Sequence, residues 1–177
     1  MTRYAALLRG VSPINLKMPD LKHALNAMGF KDVKTVLASG NVVFSGPKAS
    51  EATVARKVEA ALEKHAGKKF PTIVRTIKDL EVLLDKDPFA KHRVPAKAKR
   101  VVTFLRNEPK TKLDLPIERD GARILELRGL VLLSAYEQSP KGPVFMTLIE
   151  KACGKEVTTR TWETVRKIVR AAATPGP

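Results

Sequence analysis

Aromatic residues make up only 5% of this 177-residue chain, Asp and Glu number 18 against 33 Lys and Arg, and there is a single cysteine. Each shortage excludes something. With one tryptophan, two tyrosines and six phenylalanines, the core has to be mainly aliphatic. The lone Cys153 cannot form an intramolecular disulfide, and the scattered His23, His65 and His92 do not complete a zinc site with it. No metal and no cofactor are therefore expected, and a reducing, cytoplasmic setting fits best. No apolar stretch approaches the roughly 20 residues of a membrane-spanning helix. The N-terminal "MTRYAALLRGVSP" lacks a long apolar segment ahead of a small-residue cleavage site, so no membrane partner is expected. Phosphate-binding glycine loops, dinucleotide fingerprints and H-E-x-x-H pairs are also missing.

What is present is an ordinary globular balance, 44% hydrophobic and 29% charged, carrying a net charge of +15. The length suits one folded unit or two small packed subdomains. The charge favours polyanions or small anions as partners.

"RYAALLRG" reads as a buried first strand, "VSPINLKMP" as a loop and "PDLKHALNAMGF" as an amphipathic helix opened by Pro19 and closed by Gly29. "DVKTVLAS" and "NVVFS" flank Gly40 as two strands of a tight hairpin. A helix N-capped by Ser50 and the strand "PTIVRT" complete a βαββαβ order through Thr76. The expected fold is α+β: a ferredoxin-like N-terminal subdomain, residues 1–77, packed with a second α+β subdomain, residues 78–174, that ends in two helices. In that second part "IKDLEVLLDKDPF" is a short helix, "RVVTFLR" a strand and "ARILELRGLVLLSAY" a hairpin turning at Gly129. "PVFMTLIEKACG" and "TTRTWETVRKIVRAAA" read as the closing helices, ahead of a "TPGP" tail expected to be disordered.

Three polar features stand out. In a sheet of spatial order 4-1-3-2, the end of strand 1 lies beside the starts of strands 3 and 4. Arg9, the Ser39-Gly40-Asn41 hairpin and Lys68-Lys69 should then share one sheet edge. Ser39 and Asn41 with Arg9 would make a site for an anionic small molecule, or they are simply turn chemistry. A hydroxyl-rich helix start at Thr158–Val165 adds Arg160 as an anion ligand, against a reading in which Trp162 is core and Thr159 or Thr161 an N-cap. The third feature is the basic segment 91–112, where Lys91, Arg93, Lys97, Lys99, Arg100, Arg106, Lys110 and Lys112 face only Glu108. It reads as a phosphate-tracking surface for nucleic acid, or as a solvated loop and strand edge.

The βαββαβ order is shared with RNA-recognition modules, whose central strands present stacking aromatics. Strand 1 offers only Tyr4 and strand 3 only Phe44, so that mode of RNA binding is not expected. No triad is legible either, and whether the protein is an enzyme stays open.

"YAALLRGVSPINLKMPDLKHALNAMGFKDVKTVLASGNVVF", with "VTFL" mid-chain and "TTRTWETVRKI" late, resembles the bacterial domain of unknown function 1697 family across nearly the whole chain. Members typically show Leu-Leu-Arg-Gly-Ile-Asn, Met-x-x-Leu, Gln-Ser-Gly-Asn and a late Thr-Arg-Asn-Trp-Asn-Thr. Here Leu7-Leu8-Arg9-Gly10 is followed by Val11-Ser12-Pro13, Ala38 precedes Ser39-Gly40-Asn41, and the late motif stands as Thr159-Arg160-Thr161-Trp162-Glu163-Thr164. The resemblance implies an α+β fold with ferredoxin-like subdomains and a divergent branch, and no function.

Charge thus favours a cytoplasmic protein that binds a polyanion such as nucleic acid through residues 91–112. The alternative is an anionic-ligand protein or enzyme with a pocket near Arg9, Ser39, Asn41 and Arg160.

Overall fold

Tyr4 to Leu8 are five consecutive buried residues, the pattern of a strand covered on both faces, and they form most of β1 (Thr2–Leu8). A computed structural model describes residues 1–174; the last three residues of the "TPGP" tail lie outside them. After β1 come α1 (Met18–Ala27), β2 (Lys31–Val36), β3 (Asn41–Gly46), α2 (Glu51–Ala66), β4 (Thr72–Thr76) and α3 (Ile77–Lys86). β5 (Lys99–Leu105), β6 (Ile117–Arg119), β7 (Ala122–Arg128), β8 (Val131–Tyr136), α4 (Val144–Cys153), β9 (Val157–Thr161) and α5 (Trp162–Ala173) follow. The chain is α+β, with two sheets and five helices among the described residues.

The described residues divide into two compact units, 1–85 with 165–174, and 86–164. This differs from a single cut after residue 77: α3 falls almost wholly in the first unit, and so does most of α5. Apolar periodicity says that α5 must cover a core, not which one.

The first unit holds an antiparallel sheet in the order β2-β3-β1-β4. One face, with Tyr4, Ala6, Leu8, Val42 and Phe44, packs with Leu21 and Leu25 of α1 and Val54, Val58 and Leu62 of α2. The Tyr4 hydroxyl donates to the Pro47 carbonyl at 3.1 Å and accepts from the Ala49 N–H at 3.0 Å. Ser50 caps α2, its hydroxyl accepting from the Thr53 N–H at 3.2 Å, as N-cap serines do.

The second unit is a five-stranded sheet in the order β6-β7-β8-β5-β9. On one face Val101, Leu105, Ile124 and Leu132 pack with Phe145, Leu148 and Ile149 of α4. Cys153, at the end of α4, packs against the same cluster, and desolvation raises its thiol pKa. It serves there as a small apolar residue.

Two elements differ from expectation. Val157–Thr161 is an edge strand, not the opening of the closing helix, so β9 stands between α4 and α5. Its β-branched residues pair with β5 from Val101↔Thr161 to Leu105↔Val157, and the Thr103 and Thr159 hydroxyls meet at 2.8 Å. β-branched side chains suit such a ladder better than a helix interior. β6, in a stretch with no strong periodicity, pairs with β7 across the Asp120-Gly121 turn.

Candidate functional site

The antiparallel register sets Leu7 opposite Asn41 and Leu8 opposite Thr72. The residues that follow β1 therefore adjoin those that precede β3 and β4. Two backbone bonds fasten this end: the Leu8 N–H to the Gly40 carbonyl and the Arg9 N–H to the Pro71 carbonyl, both 2.8 Å. Gly40 has φ +83, and a Cβ there would lie 2.9 Å from a Val11 methyl and 3.0 Å from the Leu8 Cβ. Both backbone conformation and close packing thus require glycine.

Asn41 is fully buried. Its amide donates to the Val36 carbonyl and to the Ser39 hydroxyl, each at 2.9 Å, so both amide hydrogens hold the hairpin in shape. Ser39 is exposed and Arg9 half-buried. The loop after Arg9 is braced from within. Asn15 accepts the Ser12 N–H at 2.8 Å, donates to the Gly10 carbonyl at 2.7 Å, and its neighbour Leu16 is buried. The tip, Ile14, is 97% exposed. Across the edge Leu37 is 47% exposed and carries φ +61, a conformation that costs a non-glycine residue about 1 kcal/mol or more.

The helices bring further cations to this end. His65 of α2 lies 3.8 Å from Asp20 of α1, and its ring centroid is 5.3 Å from that of His23. The last turn of α2 therefore sits beside the first turns of α1. His65 is exposed. Arg9, Lys17, Lys22, Lys64, Lys68 and Lys69 come from the segments that meet here, against Asp20, Glu63 and Glu59, whose carboxylate accepts the Thr72 N–H at 2.9 Å. The Lys68 ammonium stands 5.6 Å from the Phe70 ring centroid, and Lys69 is 3.9 Å from Glu63.

Arg160 lies in the second unit, on β9 opposite Val102 of β5. Its guanidinium donates to the Thr158 hydroxyl at 2.8 Å and the Thr159 carbonyl at 2.9 Å, and burial pushes its pKa down to about 10. It is a strand residue, and the helix start after it is capped by Thr161, whose hydroxyl accepts the Thr164 N–H at 3.2 Å. Trp162 is buried, edge-on to Phe89 at 5.1 Å between centroids, a core position. Tyr4 and Phe44 are likewise fully buried.

Segment 91–112 is contiguous in sequence and divided in space. β5 occupies its middle, and seven residues at about 3.3 Å each separate its two halves by about 20 Å. Lys91 is 3.1 Å from Glu126, Lys97 is 3.2 Å from Glu137, and the Arg100 guanidinium lies 5.9 Å from the Phe89 ring centroid. Arg106 is half-buried, whereas Arg93, Lys99, Lys110 and Lys112 are exposed. Glu126 also meets His92 at 2.9 Å and Arg128 at 2.6 Å. Desolvation opposes its ionisation, but hydrogen bonds from Arg128, His92 and Lys91 outweigh it and hold the carboxyl down to about 2. Sequence spacing gave no hint of this cluster, since His92 lies 34 residues before Glu126.

Among the described residues no His, Cys, Asp and Glu cluster suits a metal ion, and no helix is long and apolar enough to cross a membrane. A cavity of about 300 Å³ in the second unit is lined by Arg119, Asp120, Lys141, Thr147 and Lys151 among others. Asp120 holds Lys141 there at 2.9 Å. Arg9, Ser39, Asn41 and Arg160 are not among its walls.

The family model described as protein of unknown function (DUF1697) matches residues 1–122. The chain belongs to this family. A solved structure, that of a conserved bacterial protein from Streptococcus pneumoniae, is similar to it with a TM-score of 0.69. The two share 20% identity over 98% of this chain and 99% of that one, a likeness of fold. No curated protein matches. The DUF1697 match spans the braced loop and the hairpin and ends at Ala122, so β9 and its Arg160 lie outside it.

Proposed function

We propose that this DUF1697 protein binds nucleic acid as a polyanion, chiefly through the basic end of the first unit's sheet. The observation that carries this reading is the gathering of Arg9, Lys17, Lys22, Lys64, Lys68 and Lys69, from separate segments, around one sheet end with three acidic residues, Asp20, Glu59 and Glu63, among them. Such a cluster attracts phosphates whatever the sequence of the nucleic acid. The exposed Arg93, Lys99, Lys110 and Lys112 of segment 91–112 add two weaker patches. The burial of Tyr4 and Phe44 argues for phosphate contacts rather than base stacking on the strands. The βαββαβ order and the strand order β2-β3-β1-β4 support reading the first unit as a ferredoxin-like subdomain.

Fluorescence-anisotropy titration of a labelled duplex tests the reading. Six phosphate contacts predict a log–log salt slope of about −5 and a loss of about 10³-fold in affinity between 50 and 200 mM salt. Failure to bind duplex or single strand at about 50 mM salt defeats it.

A second reading, a small-anion site, is favoured by the cavity lined by Arg119, Lys141 and Lys151. In it the anion would displace Asp120 from Lys141. It places the ligand away from the sheet edge where the hairpin motif suggests one.

A further inference from the structure

We infer that the braced loop after β1 is an apolar wedge, with Pro13 and Ile14 at its tip, that enters the minor groove of duplex DNA and opens a base step. The inference rests on the nucleic-acid reading above and goes beyond it by naming the duplex and the element that deforms it.

Turn tips ordinarily carry Gly, Asn, Asp or Ser. Here the Ser12-Pro13-Ile14-Asn15 turn, closed by the Asn15 N–H on the Ser12 carbonyl at 3.2 Å, puts a β-branched aliphatic at its most exposed point, 97% open to solvent. A single exposed apolar side chain means little by itself. What distinguishes this one is the rigidity beneath it. Asn15 ties the turn to the Ser12 N–H and the Gly10 carbonyl, Leu16 is sunk in the core at 3% exposure, and Val11 is wedged against Gly40. Pro13 further stiffens the backbone.

The tip is therefore held before any partner arrives, which spares the ordering cost of a flexible loop. Cations stand at both roots of the loop, Arg9 before it and Lys17 after it. Proteins that bend DNA from the minor groove combine these parts: basic side chains on the flanking phosphates and an Ile, Leu, Met, Phe or Pro between two base pairs. A tip that met anionic lipid would use the same cations, and the test below separates the two because only a duplex can bend and unstack.

The test uses the full chain and a duplex of about 20 base pairs carrying donor and acceptor dyes at its ends, with 2-aminopurine at a central flexible step. Saturating protein is expected to raise energy transfer, reporting a bend of roughly 20–90°, and to raise 2-aminopurine fluorescence as the step unstacks. Ile14→Ser keeps every charge and should abolish both signals while weakening binding by less than about tenfold. Ile14→Met should restore them. Saturated binding without a bend, an equal bend in Ile14→Ser, or binding to single strands alone overturns the wedge and leaves the polyanion reading standing. Absence of binding to any nucleic acid overturns both.

Discussion

The two basic regions of this molecule are built in opposite ways. Segment 91–112 carries eight cations in one continuous run, yet β5 divides the run, and Glu126 and Glu137 meet two of its lysines. The end of the first unit's sheet collects six cations from the β1–α1 loop, α1, the last turn of α2 and the α2–β4 connection, dispersed along the sequence rather than forming one run. Strand register and helix packing create a field there that no linear run announces. Charge that is adjacent along a chain and charge that is adjacent in space are different quantities, and only the second reaches a ligand.

The largest expected effect comes from breaking the packing that joins the loop to the hairpin. Gly40→Ala meets both left-handed strain and contact with Val11 and Leu8, and should lose about 3 kcal/mol in urea denaturation. Gly129→Ala provides the control. That glycine also has positive φ, +57, but a Cβ would meet nothing within 4 Å, so the loss should be about 1 kcal/mol. Equal losses would mean that the loop and hairpin are not packed as described.

Glu126 sharpens the other side of the comparison, because it neutralises Lys91. Its carboxyl pKa falls from the ordinary 4.5 to about 2 on folding, so its stabilisation is complete above pH 4.5 and is lost as pH falls toward 2. Glu126→Gln should cost about 1 kcal/mol at pH 7, and that gap should close on acidification. A gap that stays constant down to the acid limit would show that the ion cluster contributes nothing.

Much of the fold is legible in the residues. Alternation and helical spacing place β1 through β5, the Gly129 hairpin and the Ser50 cap. Val157–Thr161 is harder, because hydroxyl-rich residues before an apolar helical stretch suit either a strand or an N-terminal cap, and only the vacant edge of β5 decides. The site is less legible. Asn41 lies at the end of an inner strand, opposite Leu7, and its burial and its bonds to Val36 and Ser39 depend on how the hairpin folds on itself. Ile14 passes as an unremarked loop residue until its exposure and the Asn15 brace are seen together.

The central claim is that the first unit's sheet end, not segment 91–112, carries most of the phosphate contacts. Duplex affinity measured against salt for three proteins tests it directly. Lys17→Gln/Lys68→Gln/Lys69→Gln should flatten the log–log slope by about 3 from the wild-type value of about −5, whereas Lys110→Gln/Lys112→Gln should change it by less than about 1. The reverse order, or equal changes in the two variants, would contradict the account.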